Sequence, residues 1–126
     1  SDYIQYNKMN HTTLAAHNVF NNSGLEYLGN CFGNNLGDIY VNNGDLYLYQ
    51  GSPQMEAGNC FTRNGVFEID NTDGNTIAYF EKQGSTTSSC KHPVHSFNIN
   101  VERTANLDRP WVCGSTSPHG VEKARK

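Results

Sequence analysis

Turn-forming residues are spread so densely along this chain that a long helix is disfavoured everywhere in it. Among 126 residues there are seventeen Asn and twelve Gly. Both tolerate positive φ in tight turns, and both weaken a helix interior. Against them stand seven Tyr and six Phe, side chains that favour a pleated, half-buried surface. Short strands joined by tight turns satisfy both groups at once. Hydrophobic residues make up 36% of the chain and charged ones 17%, so the interior is lean. Low charge with this aromatic load argues against disorder.

Length and charge remove several function classes. A chain of 126 residues is one domain's worth, which leaves no room for a separate cofactor domain. The formal charge of −3 provides no basic stripe to neutralise phosphates, so a nucleic-acid partner is not expected. No segment approaches the roughly 18–20 apolar residues of a membrane span.

Cys31, Cys60, Cys90 and Cys113 are widely spaced and even in number. In a small chain with a thin core they read as two disulfides formed in an oxidising, extracellular compartment. Sequence-neighbour pairing favours Cys31–Cys60 with Cys90–Cys113, although three connectivities are open. Each such loop contributes about 3–4 kcal/mol in the chain-entropy model. A secreted chain beginning Ser1-Asp2-Tyr3 is expected to have lost its signal peptide. The sequons at Asn10 and Asn21 add nothing, since this Asn, Ser and Thr content produces about two by chance.

Strand signals are clearest in the middle. Asp38–Val41 and Leu46–Tyr49 flank an Asn-Asn-Gly-Asp turn and read as a hairpin. Cys60–Arg63 and Val66–Ile69 flank Asn64-Gly65 and read as a second, with Cys60 opposite Ile69 and Phe67 opposite Thr62. Thr76–Phe80 follows the turn Asp70–Asn75. Phe97, Ile99 and Val101 alternate with Asn98 and Asn100, which predicts a strand with the apolar set inward. Pro110–Cys113 is a further strand, Tyr3–Tyr6 and Leu25–Leu28 are candidates, and His11–Phe20 fits either a short helix or a strand. Residues 83–93 read as a loop, and the tail after residue 114 is expected to be mobile. No internal repeat is read. The fold expected is all-β, a single compact antiparallel sandwich or small barrel stapled by two disulfides.

Candidate chemistry is sparse. Cys90-x-His92-x-x-His95, with Cys113 or His119 as a fourth group, has metal-ligand spacing. A disulfide-bonded Cys90 has no thiolate to give, so neither metal nor cofactor is expected. A metal-free ribonuclease needs a general base and a general acid near a cation; His92 or His95 with Glu68 and Arg63 supplies the residue types. No G-x-S-x-G elbow is present. Asp70, Asp73 and Asn75 offer oxygens but lack the closing Glu of a calcium loop, and Asp73-Gly74 is ordinary turn chemistry. Tyr47 and Tyr49 share one face of their strand, with Leu46 and Leu48 on the other, facing the core. With Tyr40 on the partner strand they form an aromatic platform able to stack on sugars or anchor a protein.

In its cysteine order and strand-rich middle the chain resembles small secreted fungal proteins of effector and elicitor type, the Alternaria major-allergen family among them. That resemblance implies a β-rich fold held by two local disulfides and a role in eliciting or suppressing plant defences; it carries no site residue. The expectation is a secreted, non-enzymatic effector that recognises a host protein or glycan through Tyr40, Tyr47 and Tyr49. The alternatives are a ribonuclease-type hydrolase and a carbohydrate-binding wall protein.

Overall fold

The computed structural model describes residues 2–10, 15–20, 23–62, 65–82 and 92–104, and within them the chain winds as a parallel β-solenoid. The first coil is β1 (Asp2–Gln5), β2 (Lys8–Asn10) and β3 (Ala15–Phe20). The second is β4 (Leu25–Leu28), β5 (Cys31–Gly33) and β6 (Gly37–Asn42). The third passes through Leu46, β7 (Tyr49–Gln50), Cys60 and β8 (Phe67–Asp70). The fourth holds β9 (Ile77–Lys82) and β10 (Ser96–Phe97), and β11 (Ile99–Thr104) begins the next turn.

Equivalent strands stack into three columns, and every pairing among the described residues is parallel. One column runs β1–β4, crosses the Leu25–Leu46 bridge and continues β7–β9–β11. The second is β2–β5 followed by a backbone β-bridge between Cys31 and Cys60. The third is β3–β6–β8–β10. Parallel strands need a long crossover between them; here the other two strands of each coil supply it.

The turn between the first two columns explains why this sequence coils. Tyr6, Gly29 and Gly58 all take positive φ (56°, 67° and 74°), and an Asn follows each of them. Those asparagines form a ladder. Asn30 Oδ1 accepts the Asn7 N–H at 3.0 Å, and Asn59 Oδ1 accepts the Asn30 N–H at 2.9 Å. Asn30 Nδ2 donates to Ile4 O and Asn59 Nδ2 to Tyr27 O. A turn carries orphaned backbone groups that burial would make costly, and the ladder satisfies them coil by coil. Beside it Phe32 and Phe61 stack with centroids 5.6 Å apart and planes within 2°. Val19, Ile39, Val41, Ile69, Ile77 and Tyr79 extend that core.

A second polar knot ties the next corner. Asp38 Oδ2 accepts the Thr62 N–H at 2.8 Å, and its Oδ1 accepts from Asn35 Nδ2 at 3.1 Å. Asn35 Nδ2 also reaches Met9 O at 2.8 Å, so three coils meet there. Asp38 is fully buried. Burial pushes its pKa up from 3.8 to about 6; the bonds from Asn35 and Thr62 oppose this, and the charge of Glu68 adds to it.

The all-β expectation holds, and the antiparallel sandwich or barrel does not. Leu46 pairs with Leu25 and β6 pairs with β3 and β8, so the run after Asn42 climbs to the next coil instead of folding back as a hairpin. Cys60 faces Cys31, and Ile69 faces Ile39, in place of the predicted Cys60–Ile69 pair. The single strand expected over Phe97–Val101 is broken at Asn98 (φ 60°), which separates β10 from β11. Ile99 packs on the core, whereas Phe97 and Val101 are exposed. The segment His11–Phe20 contributes a strand, β3, over its second half.

The chain does repeat. Gly-Asn-Cys-Phe occurs identically at 29–32 and 58–61, at equivalent places in consecutive coils. Among the described residues no cysteine is a free thiol. Cys90, Cys113, Arg63, Asn64, residues 83–91, the strand expected at Pro110–Cys113 and the tail after residue 114 lie outside the described residues.

Candidate binding groove

The third coil departs from the regular ladder between Leu46 and Tyr49, and a buried glutamine repairs the gap. Gln50 Oε1 accepts the Tyr27 N–H at 2.7 Å, while its Nε2 donates to Leu25 O and Tyr47 O at 3.0 and 2.9 Å. These bonds replace backbone pairing that the irregular segment cannot make. They also fix Tyr47 and Tyr49 on the outside of the first column.

The two rings meet edge to face at 6.0 Å and 75°, and Tyr49 leans on Phe80 at 6.5 Å. Tyr49 is 51% exposed and Phe80 only 8%, so the tyrosines form rims and the phenylalanine a floor. Tyr3, Glu26 and the Gly51-Ser52-Pro53 turn complete an open groove of about 460 Å³. Glu26 is mostly buried, and its Oε2 accepts the Gly51 N–H at 3.1 Å. Gly51 is required there. Its φ is +85°, and a Cβ would come within 2.6 Å of the Ala57 nitrogen.

Of the three tyrosines singled out in the sequence, the fold brings Tyr47 and Tyr49 together and leaves Tyr40 apart. Tyr40 lies on β6 in the third column, 6.2 Å from Phe67, beside a smaller apolar groove of about 260 Å³. Its expected place next to Tyr47 required the hairpin that does not form. Leu46 is in the core as expected, but Leu48 is 49% exposed, because the irregular segment does not alternate like a strand. Tyr3, Glu26 and Phe80 also line the groove and did not stand out in the sequence. The Gly-Asn-Cys-Phe repeat was the available signal, since it sets a coil length from which cross-coil neighbours follow.

The histidines fall elsewhere. His92 Nδ1 lies 2.8 Å from Glu81 Oε1, and its backbone N–H donates to the same oxygen at 3.0 Å. His95 Nδ1 stands 3.8 Å from Glu68 Oε2, and the Val94 N–H also donates to Glu68. Arg63, proposed beside them, is outside the described residues. His17 Nδ1 bonds the Tyr27 hydroxyl, and burial holds the His17 pKa below its usual 6.5. His11 and His119 are outside the described residues. Among the described residues no three His, Cys, Asp or Glu side chains converge as a metal site. In the Asp70–Asn75 turn, Asp70 Oδ1 accepts from the Thr72 N–H and hydroxyl, and Asp45 Oδ1 accepts the Asn75 N–H. These are turn-closing bonds. No helix among the described residues is long and apolar enough to cross a membrane.

Comparison with protein-family models, curated proteins and solved structures finds no match to this chain.

Proposed function

We propose that this chain is a secreted, non-enzymatic binding protein that seats a glycan in the groove of Tyr3, Tyr47, Tyr49 and Phe80, outside the cell that makes it. The observation that carries the reading is the groove itself: partly exposed phenol rings over an aromatic floor, with Glu26 and Ser52 in its lining. Weakly positive C–H bonds of a pyranose face are attracted to the negative face of an aromatic ring, and nearby oxygens accept the hydroxyls. A protein hot spot would instead seat a side chain in a closed, desolvated pocket, and this groove is open along its length. The effector reading, in which the glycan belongs to a host, is the form this takes if the producing organism lives on another. Secretion is supported by the four cysteines, which we take to be paired in two disulfides.

The test is a screen of plant, fungal and bacterial wall polysaccharides with the wild-type chain and the Tyr49→Ala variant. One aromatic contact is worth about 0.5–1.5 kcal/mol, so Tyr49→Ala is expected to weaken binding about 3- to 10-fold. A chain that binds none of the panel, or binds equally without Tyr49, refutes the groove as a glycan site.

One observation favours a second reading. A carboxylate that orients an imidazole is part of general acid–base machinery, and His92 has such a partner in Glu81. A ribonuclease-type hydrolase would cleave RNA and lose that activity in His92→Ala and His95→Ala; an RNA substrate left intact between pH 4 and 8 removes this reading.

A further inference from the structure

The geometry points to a narrower ligand class: we infer that the groove takes an extended β-1,4-linked glycan lying along the solenoid axis, with its first and third sugars stacked on Tyr3 and Tyr47. This rests on the groove being a glycan site and adds linkage, direction and length. Tyr3 and Glu26 are register partners between β1 and β4. The Leu25–Leu46 bridge, with the Tyr47 N–H donated to Leu25 O at 2.9 Å, sets Tyr47 next to Glu26 on the following coil. Tyr3, Glu26 and Tyr47 therefore form one straight column, ring, carboxylate, ring. Neighbouring strands are about 4.8 Å apart, which separates the two ring positions by about 10 Å along the axis.

That repeat matches a β-1,4 chain. Each sugar in such a ribbon is turned over relative to the last, so the same ring face returns after one disaccharide, a length close to two coil spacings. The middle sugar then lies over Glu26, whose Oε2 is held by the Gly51 N–H. An α-1,4 chain curls and cannot keep successive ring faces on a straight column. Tyr49, edge-on to Tyr47, braces the second ring, and Phe80 on the coil beyond keeps the floor apolar.

The experiment is calorimetric titration of cello- and chito-oligosaccharides of two to six units against malto-oligosaccharides of the same lengths. It uses the wild-type chain and the variants Tyr3→Ala and Tyr47→Ala, each checked for native circular dichroism. The expected result is a step of about 5-fold or more in affinity from disaccharide to trisaccharide in a β-1,4 series. Either variant should abolish the step, and the α-1,4 series should bind at least 5-fold more weakly. Equal or tighter α-1,4 binding, or a β-1,4 series with no step at three units, overturns the inference. If Tyr47→Ala weakens whatever does bind, the glycan site stands and only the axial β-ribbon falls. If neither series binds and the wall-polysaccharide screen is also blank, both fall.

Discussion

Asn30 and Asp38 show how single polar side chains hold this molecule together. Asn30 sits in a fully buried corner, accepts from Asn7 and donates to Ile4 and Asn59. Replacing it with Ala leaves buried donors and acceptors on two coils without partners, each costing about 1–3 kcal/mol. Asn30→Ala is expected to lose about 3 kcal/mol in urea unfolding, while Asn100→Ala, at an exposed position, stays within about 0.5 kcal/mol. Asp38 gives a pH signature. Its folded pKa of about 6 lies above the ordinary 3.8, so between those values the native state binds more protons than the unfolded one. Stability from this group is therefore greatest below about pH 4 and falls as pH rises through 6, by on the order of 2–3 kcal/mol in total. Urea midpoints at pH 4.5 and 6.5 check this: the wild type should lose more stability over that interval than Asp38→Asn, and equal losses would contradict the assignment. Neither role was legible in the sequence, where the abundance of Asn read only as turn chemistry.

Strands were easier to locate than to pair. The runs at Asp38–Val41, Val66–Ile69 and Thr76–Phe80 were legible because β-branched and aromatic residues cluster between turn residues, and all three lie in or around strands. Their partners were not legible, because Asn-Asn-Gly-Asp tells the chain to turn without saying whether it returns alongside or climbs to the next coil. What decides is the identical Gly-Asn-Cys-Phe at 29–32 and 58–61, which stacks like residues on like. The same limit hid the groove: Tyr47 and Tyr49 were visible as a local pair, but Tyr3, Glu26 and Phe80 come from other coils. The turn at Gly51 joins stability to the site at this scale. Gly51→Ala demands a positive φ of a residue with a Cβ and drives that Cβ against the Ala57 backbone. It is expected to cost about 2 kcal/mol or more in thermal unfolding, and to weaken glycan binding by displacing Glu26.

At the scale of the molecule, stacked coils turn short, individually weak strands into a continuous scaffold in which each coil rests on its neighbours. A column of outward side chains on such a scaffold has a fixed spacing, so an aromatic row there is a rigid ruler for a repeating polymer. On the proposed function, one surface, the first column, is the place where ligand is held. Two-dimensional amide and tyrosine-ring NMR during titration with a bound wall oligosaccharide tests this directly. Shifts are expected to concentrate at Tyr3, Glu26, Tyr47, Tyr49 and Gly51, with Tyr40, Phe67, His92 and His95 unmoved; shifts centred on the Tyr40–Phe67 groove or on the histidines would refute binding at this column.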